Sequence, residues 1–397
     1  MHHANDILFA LFVVFAAAQL GGELARRLKL PGVVGEILAG CVVGPSVLGW
    51  VAPAQIANGT PLDALSEIGV AFLLFGVGLE TRLEDLRKVG LPALLVGVLG
   101  VFVPFALGSS WAHASGFGWT HALFVATAFV ATSTGITARV LQELGALNRT
   151  EAKVLLGAAV IDDILAMLLL GVVVSMQDGD SIDMAHLLVV LGGALAFIVV
   201  VGWGGTRVMR RHSDWLDKPG HAQSPLVVVL TLCLALAWLS TLFGLAAIIG
   251  AFLAGMIASE THQRETLEHQ MQPLLTLLTP FFFVVTGAKI DLHQINDPTA
   301  WLLLGTATLV AVVSKLLGGF LGALSLGWRS AGVVGFGMVP RGEVGVVIAS
   351  LGLGAGVFDT RLYAIIVAMS LLTTIITPPV LAWLLPRTGR PAPPLAR

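Results

Sequence analysis

Two adjacent aspartates, Asp162 and Asp163, stand in the middle of an apolar run from Ala152 to Met176. A run of that length reads as a helix crossing a bilayer. An ionised carboxylate at mid-bilayer costs at least ~3 kcal/mol on insertion scales, so two together require a partner charge, a bound cation, water or protons. Consecutive helical positions point ~100° apart, so both cannot face the same partner. One can meet a counter-charge while the other lines a cavity. Lys315 is the counter-charge on offer, in the apolar run from Leu302 to Leu326. It follows Trp301 by about 14 residues, or ~20 Å of helical rise, which is deep for snorkelling. Asp162 or Asp163 is its expected partner.

Two more stretches break the apolar pattern at depth. Ala131-Thr132-Ser133-Thr134-Gly135 puts small and hydroxylated residues in mid-span. Such a run weakens a helix and offers hydroxyl and carbonyl oxygens, and half-helix ends carry dipoles suited to ions. Ordinary small-residue helix packing accounts for the same composition. Met338-Val339-Pro340-Arg341-Gly342-Glu343-Val344-Gly345 holds one Pro and two Gly that break a helix. Arg341 and Glu343 are opposite charges beside that break. They are expected to pair with each other or with the dipole ends of the opposing broken segment, as charge compensation rather than as transport groups. GxxxG spacing at Gly40–Gly44 and Gly318–Gly322 is a weak signal in so glycine-rich a chain and reads as intrachain packing.

Elements that hold charges at such depth must be membrane helices. The chain has 397 residues, 56% apolar and only 12% charged, with a mean hydropathy of +0.90. Soluble domains carry about 25% charged residues, so this is an all-α polytopic membrane protein. Its 46 glycines suit close helix approach in lipid. A net charge of -2 implies no nucleic-acid partner. Cys41 and Cys233 lie in apolar runs without metal-type spacing and read as packing residues; no cofactor is implied. No Lys or Arg precedes the first apolar run, so that run reads as a span and not as a cleaved signal peptide.

Thirteen apolar segments can be counted: 6–25, 31–50, 62–80, 90–112, 120–144, 152–176, 184–209, 223–242, 244–260, 272–290, 298–326, 328–356 and 359–385. The split at Gly244 is the least marked. All but four of the 22 basic residues fall in one set of alternate loops and the C-terminal tail. The opposite loops hold Lys289 and Arg361, and Lys315 and Arg341 lie within spans. Basic loops mark the cytoplasmic side, so the N-terminus is expected outside and the C-terminus inside.

The sequence also repeats itself. Phe72-Leu73-Leu74-Phe75-Gly76-Val77-Gly78-Leu79-Glu80 returns in style as Phe281-Phe282-Phe283-Val284-Val285-Thr286-Gly287-Ala288-Lys289, and Gly35-Glu36-Ile37-Leu38-Ala39-Gly40 as Gly250-Ala251-Phe252-Leu253-Ala254-Gly255. The offsets are 209 and 215 residues. The smaller one carries Thr132–Gly135 onto Arg341–Val344. Copies an odd number of spans apart lie in opposite orientations, and inverted repeats mark secondary transporters.

At Thr132-Ser133-Thr134-Gly135-Ile136-Thr137, Val140-Leu141-Gln142-Glu143-Leu144-Gly145, Ile161-Asp162-Asp163 and Pro340-Arg341-Gly342-Glu343-Val344-Gly345, the chain resembles the bacterial monovalent cation:proton antiporters, second branch of that superfamily. The resemblance covers nearly the whole chain. It implies two crossed discontinuous helices carrying Thr132–Gly135 and Arg341–Glu343. It implies that Asp163 is the ion-binding carboxylate, with Thr132 and Ser133 nearby, and that Asp162 pairs with Lys315. It implies a mobile core (90–176 and 298–386), a dimerisation part (1–89 and 223–297), a linker helix (177–222), a short tail (387–397) and a homodimer in membrane lipid. Potassium-efflux members usually continue into a nucleotide-binding domain and carry Gln-Asp, where this chain ends at Arg397 and has Asp-Asp. Both differences favour the ungated sodium type.

The expected activity is therefore exchange of Na⁺ or Li⁺ for H⁺ across the bacterial inner membrane by elevator-type alternating access, with Asp162, Asp163 and Lys315 as the working groups. A K⁺/H⁺ exchanger is the nearest alternative. An intramembrane aspartyl protease needs two carboxylates sharing a proton ~3 Å apart, which neighbours on one helix cannot supply. A channel wants a selectivity filter and a continuous pore, for which no segment stands out.

Overall fold

A computed structural model describes residues 2–28, 30–57, 59–81, 84, 88–177, 184–211, 225–289, 293, 295, 297–341, 343–354 and 356–385. Among these residues every regular element is helical. The helices are α1 (His2–Arg27), α2 (Gly32–Val43), α3 (Pro61–Glu80), α4 (Gly90–Ala114), α5 (Trp119–Val130), α6 (Thr134–Glu143), α7 (Thr150–Gln177), α8 (184–211), α9 (Pro225–Leu242), α10 (Ala247–Ala258), α11 (Arg264–Ala288), α12 (Pro298–Gly322), α13 (Trp328–Gly337), α14 (Glu343–Gly354) and α15 (Thr360–Leu384). Helix α8 is π-helical over Ile198–Gly205.

Nine stretches among the described residues are long and apolar enough to cross a membrane, the interrupted His121–Glu143 among them, and Gly32–Val43 and Ala247–Ala258 are shorter apolar helices. Helix starts follow local chemistry. Pro61 and Pro298 stand at the first turns of α3 and α12, where a missing N–H costs nothing. The Asp297 carboxylate accepts from Ala300 N at 2.7 Å, and Asp359 accepts from Leu362 N at 2.7 Å, satisfying donors that a helix start leaves open. The faint boundary at Gly244 is a turn. Its φ of 70° lies in the left-handed region, which glycine enters without strain, and it separates α9 from α10.

Glycine contacts set the helix crossings. A methyl group on Gly40 of α2 would run into the Val284 carbonyl and lie 3.0 Å from Gly287 Cα on α11. A methyl on Gly255 of α10 would run into the Phe75 carbonyl and lie 2.9 Å from Gly78 Cα on α3. The two crossings use corresponding members of the repeated segments, in exchanged roles. Gly318 and Gly322 of α12 meet the backbone of α4 at Leu99 and Val96 in the same way. These approaches bring a buried core together from Ile37, Leu73, Ile136, Leu155, Phe283 and Val334.

Two helices are interrupted at depth. Residues 131–133 between α5 and α6 are not helical, nor are 339–341 before α14. Pro340 removes a donor and biases the chain away from helix. The interruptions meet: Ser133 N donates to the Pro340 carbonyl at 2.8 Å.

Candidate functional site

Asp162 and Asp163 lie midway along α7, with exposures of 0% and 6%. Lys315, on α12, is also wholly buried. Its Nζ donates to Asp162 Oδ1 at 2.7 Å. Gly100 of α4 makes room for the pair, since a methyl there would stand 3.5 Å from Asp162 Oδ1 and 3.8 Å from Lys315 Nζ. A larger residue would press on the ion pair. The other oxygen, Asp162 Oδ2, has no hydrogen-bond partner among the described residues. The Thr132 hydroxyl lies beside this carboxyl without a formed hydrogen bond, and the Asp163 charge also reaches Lys315.

The ~100° turn between neighbours sends Asp163 elsewhere. It lines a cavity of about 10 Å³ with Leu74, Thr134, Leu156, Val160, Ile248, Ile249 and Phe252. That volume is about what one water molecule needs. Apart from Asp163, the only polar side chain on this lining among the described residues is Thr134. Its Oγ1 is buried and without a hydrogen bond among the described residues. A hydroxyl residue and a carboxylate thus share a wall that is otherwise apolar.

Thr134 is the oxygen that sequence reasoning did not single out. Thr132 and Ser133 are both buried, but neither is on the cavity wall. Which hydroxyl of Thr132-Ser133-Thr134 faces Asp163 depends on where helix resumes, and it resumes at Thr134.

Arg341 is wholly buried. Its Nε and Nη2 donate to the Phe129 carbonyl at 3.0 and 2.6 Å, Nη2 also donates to Ala311 O at 3.0 Å, and Nη1 donates to Val339 O at 3.2 Å. Phe129 belongs to the last turn of α5, so a full positive charge sits at the negative end of that half-helix. Thr137 on α6 does a related job without charge, donating to Gly337 O at the carboxyl end of α13, 2.7 Å away. Thr374 Oγ1 donates to Arg341 O at 2.6 Å and fixes the segment from α15. The side chain of Glu343 lies outside the described residues, and with it the expected Arg341–Glu343 contact. Among the described residues no cluster of His, Cys, Asp and Glu is arranged to hold a metal, and Cys41 and Cys233 are both free.

The family described as "Sodium/hydrogen exchanger, transmembrane" matches residues 10–387. The chain belongs to this family. It is 34% identical over 381 residues to the Na(+)/H(+)-K(+) antiporter GerN of Bacillus cereus, covering 95% of this chain and 96% of that protein. It is 34% identical to the high-affinity Na(+)/H(+) antiporter NhaS3 of Synechocystis over 94% of this chain and 88% of that one. Among solved structures, the sodium proton antiporter MjNhaP1 from Methanocaldococcus jannaschii superposes with a TM-score of 0.65, over 98% of this chain and 100% of that chain, at 19% identity. That likeness is one of fold. The relatives are transporters, and this membrane protein shares their family.

Proposed function

We propose that the chain is a secondary antiporter exchanging Na⁺ or Li⁺ for H⁺ by alternating access. The observation that carries this reading is the split between two adjacent carboxylates: Asp162 is bonded to the buried Lys315, and Asp163 stands on the wall of a water-sized cavity. In the proposed cycle Asp163 binds either a dehydrated cation or a proton, never both. Small alkali ions take hard oxygen donors, which Asp163 and the Thr134 hydroxyl supply, with backbone oxygens near Thr132 and Ser133 within the same interruption. Lys315 holds Asp162 while the cation is absent. If Lys315 also gives up a proton when the cation enters, two protons leave per Na⁺ and transport moves charge. Arg341 keeps the interrupted helices together by neutralising the end of α5.

The wider architecture belongs to the same proposal. Thirteen spans form two inverted repeats, and the exchanged glycine crossings of Gly40 with Gly287 and Gly255 with Gly78 support that symmetry. The protein sits in a bacterial cytoplasmic membrane as a homodimer, N-terminus outside. Lys289 and Arg361, the two basic residues of the basic-poor side, are engaged by Asp63 at 3.1 Å and Asp297 at 2.9 Å. The fourth to sixth and eleventh to thirteenth spans move as a core against the rest. K⁺ exchange is a second reading, because GerN is named for K⁺ as well as Na⁺. The test is purified protein in liposomes, with internal pH followed after a jump of Na⁺, Li⁺ or K⁺ outside. Cation-driven proton efflux is expected with Na⁺ and Li⁺; cation entry that moves no protons would replace an exchanger by a channel.

A further inference from the structure

The carboxyl end of α6 carries a second charged cluster, about 13 Å of helical rise from Thr134. Glu143, the last residue of α6, accepts from Gly32 N at 2.8 Å, so it caps the amino end of α2 from another helix. The cap residue of α2 itself is Pro31, which provides no side-chain acceptor. Arg139 Nε holds the other Glu143 oxygen at 3.0 Å. Arg26 of α1 reaches the same place. A methyl on Gly32 would stand 3.0 Å from Arg26 Nη1 and 3.4 Å from Glu143 Oε1. A methyl on Gly22 would stand 3.3 Å from Glu36 Oε1 and 3.6 Å from the same Arg26 nitrogen.

Glu36, one turn into α2, is 5% exposed, and its Oε2 has no hydrogen-bond partner among the described residues. Arg139, Glu143 and Arg26 all act on it electrostatically. Beside the cluster, Gln142 Nε2 donates to Glu80 Oε1 at the end of α3, 3.5 Å away. Two carboxylates and two guanidiniums from three helices therefore meet at one seam. On one side of the seam is the half-helix that begins at the cavity, and on the other are α1, α2 and α3.

We infer that Glu143 is a positioning residue: its seat on the amino end of α2, with Arg139, Arg26 and Glu36 around it, is a contact that α6 must leave and regain each time the Asp163 cavity changes sides. The inference rests on the alternating-access reading. A charged seat of this kind suits a reversible joint. Its bonds are directional and its partners are polar enough to take up water when parted, while the apolar contacts beside it, Ile136 with Ile37 and Leu73 in one core, must slide in the same movement. The buried carboxylate of Glu36, short of one partner, fits a seam that is not packed for permanence.

The test is a reversible tether. Cys41→Ala and Cys233→Ala provide a background without thiols. Gln142→Cys with Glu80→Cys, neighbours across the same seam at 3.5 Å, then allows a short bifunctional methanethiosulfonate to bridge it while Glu143 keeps its seat. Cation-driven proton exchange is expected to fall about tenfold or more when bridged and to return on reduction, since conformational steps gate turnover. Full exchange by bridged protein would show that the contact does not move, and overturn the inference. The thiol-free parent separates this from the antiport reading: a parent that exchanges nothing fails that reading and not the tether. A second measurement does not need transport. With Leu156→Cys as the only thiol, labelling by an impermeant maleimide is compared from the two faces of the membrane, with and without Glu143→Ala. A shift of accessibility toward the face bearing Arg139 is expected, and an unchanged ratio would also overturn the inference.

Discussion

Removing the ammonium of Lys315 should be among the most damaging single changes in this chain. Lys315→Met keeps most of the aliphatic stem, so the perturbation is nearly all charge. Both partners are 0% exposed and 2.7 Å apart, so neither has water to fall back on. Breaking a buried pair by deleting one member typically costs ~3–5 kcal/mol, because the other is left charged and unpaired. Asp162 is poorly placed to escape that figure, since Oδ2 already lacks a hydrogen-bond partner among the described residues. At roughly 1–2 °C per kcal/mol, extrapolating the trend with chain length, the midpoint should drop by ~3–10 °C. The assay is thermal unfolding of detergent-purified protein, run as a double-mutant cycle with Asp162→Asn. The Asn removes the stranded charge, so the double variant should recover about 2 kcal/mol relative to the sum of the single losses. Additive losses would show that the two residues are not coupled, and the geometry of the site would have to be reread.

Other expectations follow from the same contacts. Lys315→Gln protein that still exchanges should lose its current response to a Na⁺ jump on a solid-supported membrane, while a pH dye still reports proton movement; an unchanged current-to-proton ratio would make Lys315 purely structural. Thr134→Val should raise the apparent KM for Na⁺ several-fold with the maximal rate less affected, and Thr134→Ser should restore it; equal kinetics in all three would remove the hydroxyl from the cation site. Arg341→Ala should leave the Phe129 and Ala311 carbonyls without their donors and lower stability by ~2–4 kcal/mol, read as a fall in the thermal midpoint. Arg341→Lys should recover only part of that, because an ammonium cannot reproduce the planar fork.

How much of this was legible in the sequence depended on whether a residue's partner was forced. Asp162 and Lys315 are 153 residues apart, yet the penalty for an unpaired charge in an apolar run directs Lys315 to the aspartate pair; that the partner is Asp162 and not Asp163 followed only from the family resemblance. The interruption at Pro340 was equally legible, because a missing donor and a glycine pair leave helix few ways to continue. Arg341 could be placed beside a break, but not on the Phe129 carbonyl 212 residues away, because every half-helix end offers the same generic acceptor. Thr134 was hidden for another reason. Across the non-helical residues 131–133 the helical phase is lost, so spacing cannot say which hydroxyl faces Asp163. The Glu143 contact was hidden too, since its partner is a backbone N–H that any residue at the start of α2 would supply. Asp63 and Lys289, which lie 226 residues apart and pair at 3.1 Å, show the same limit at two helix ends, where a buried carboxylate in the first turn of α3 has no sequence pattern that names its partner.

Exchange should depend on the Asp163 carboxylate, which Asp163→Asn removes. The amide keeps the shape of the side chain but can neither release a proton nor balance a cation. In proteoliposomes loaded with a pH dye, wild-type protein should eject protons when Na⁺ is added outside, and Asp163→Asn, at equal protein level and with an unchanged thermal midpoint, should give no Na⁺-dependent signal. Exchange by Asp163→Asn at near wild-type rate would contradict the account, because the carboxylate on the cavity wall would then carry neither proton nor cation.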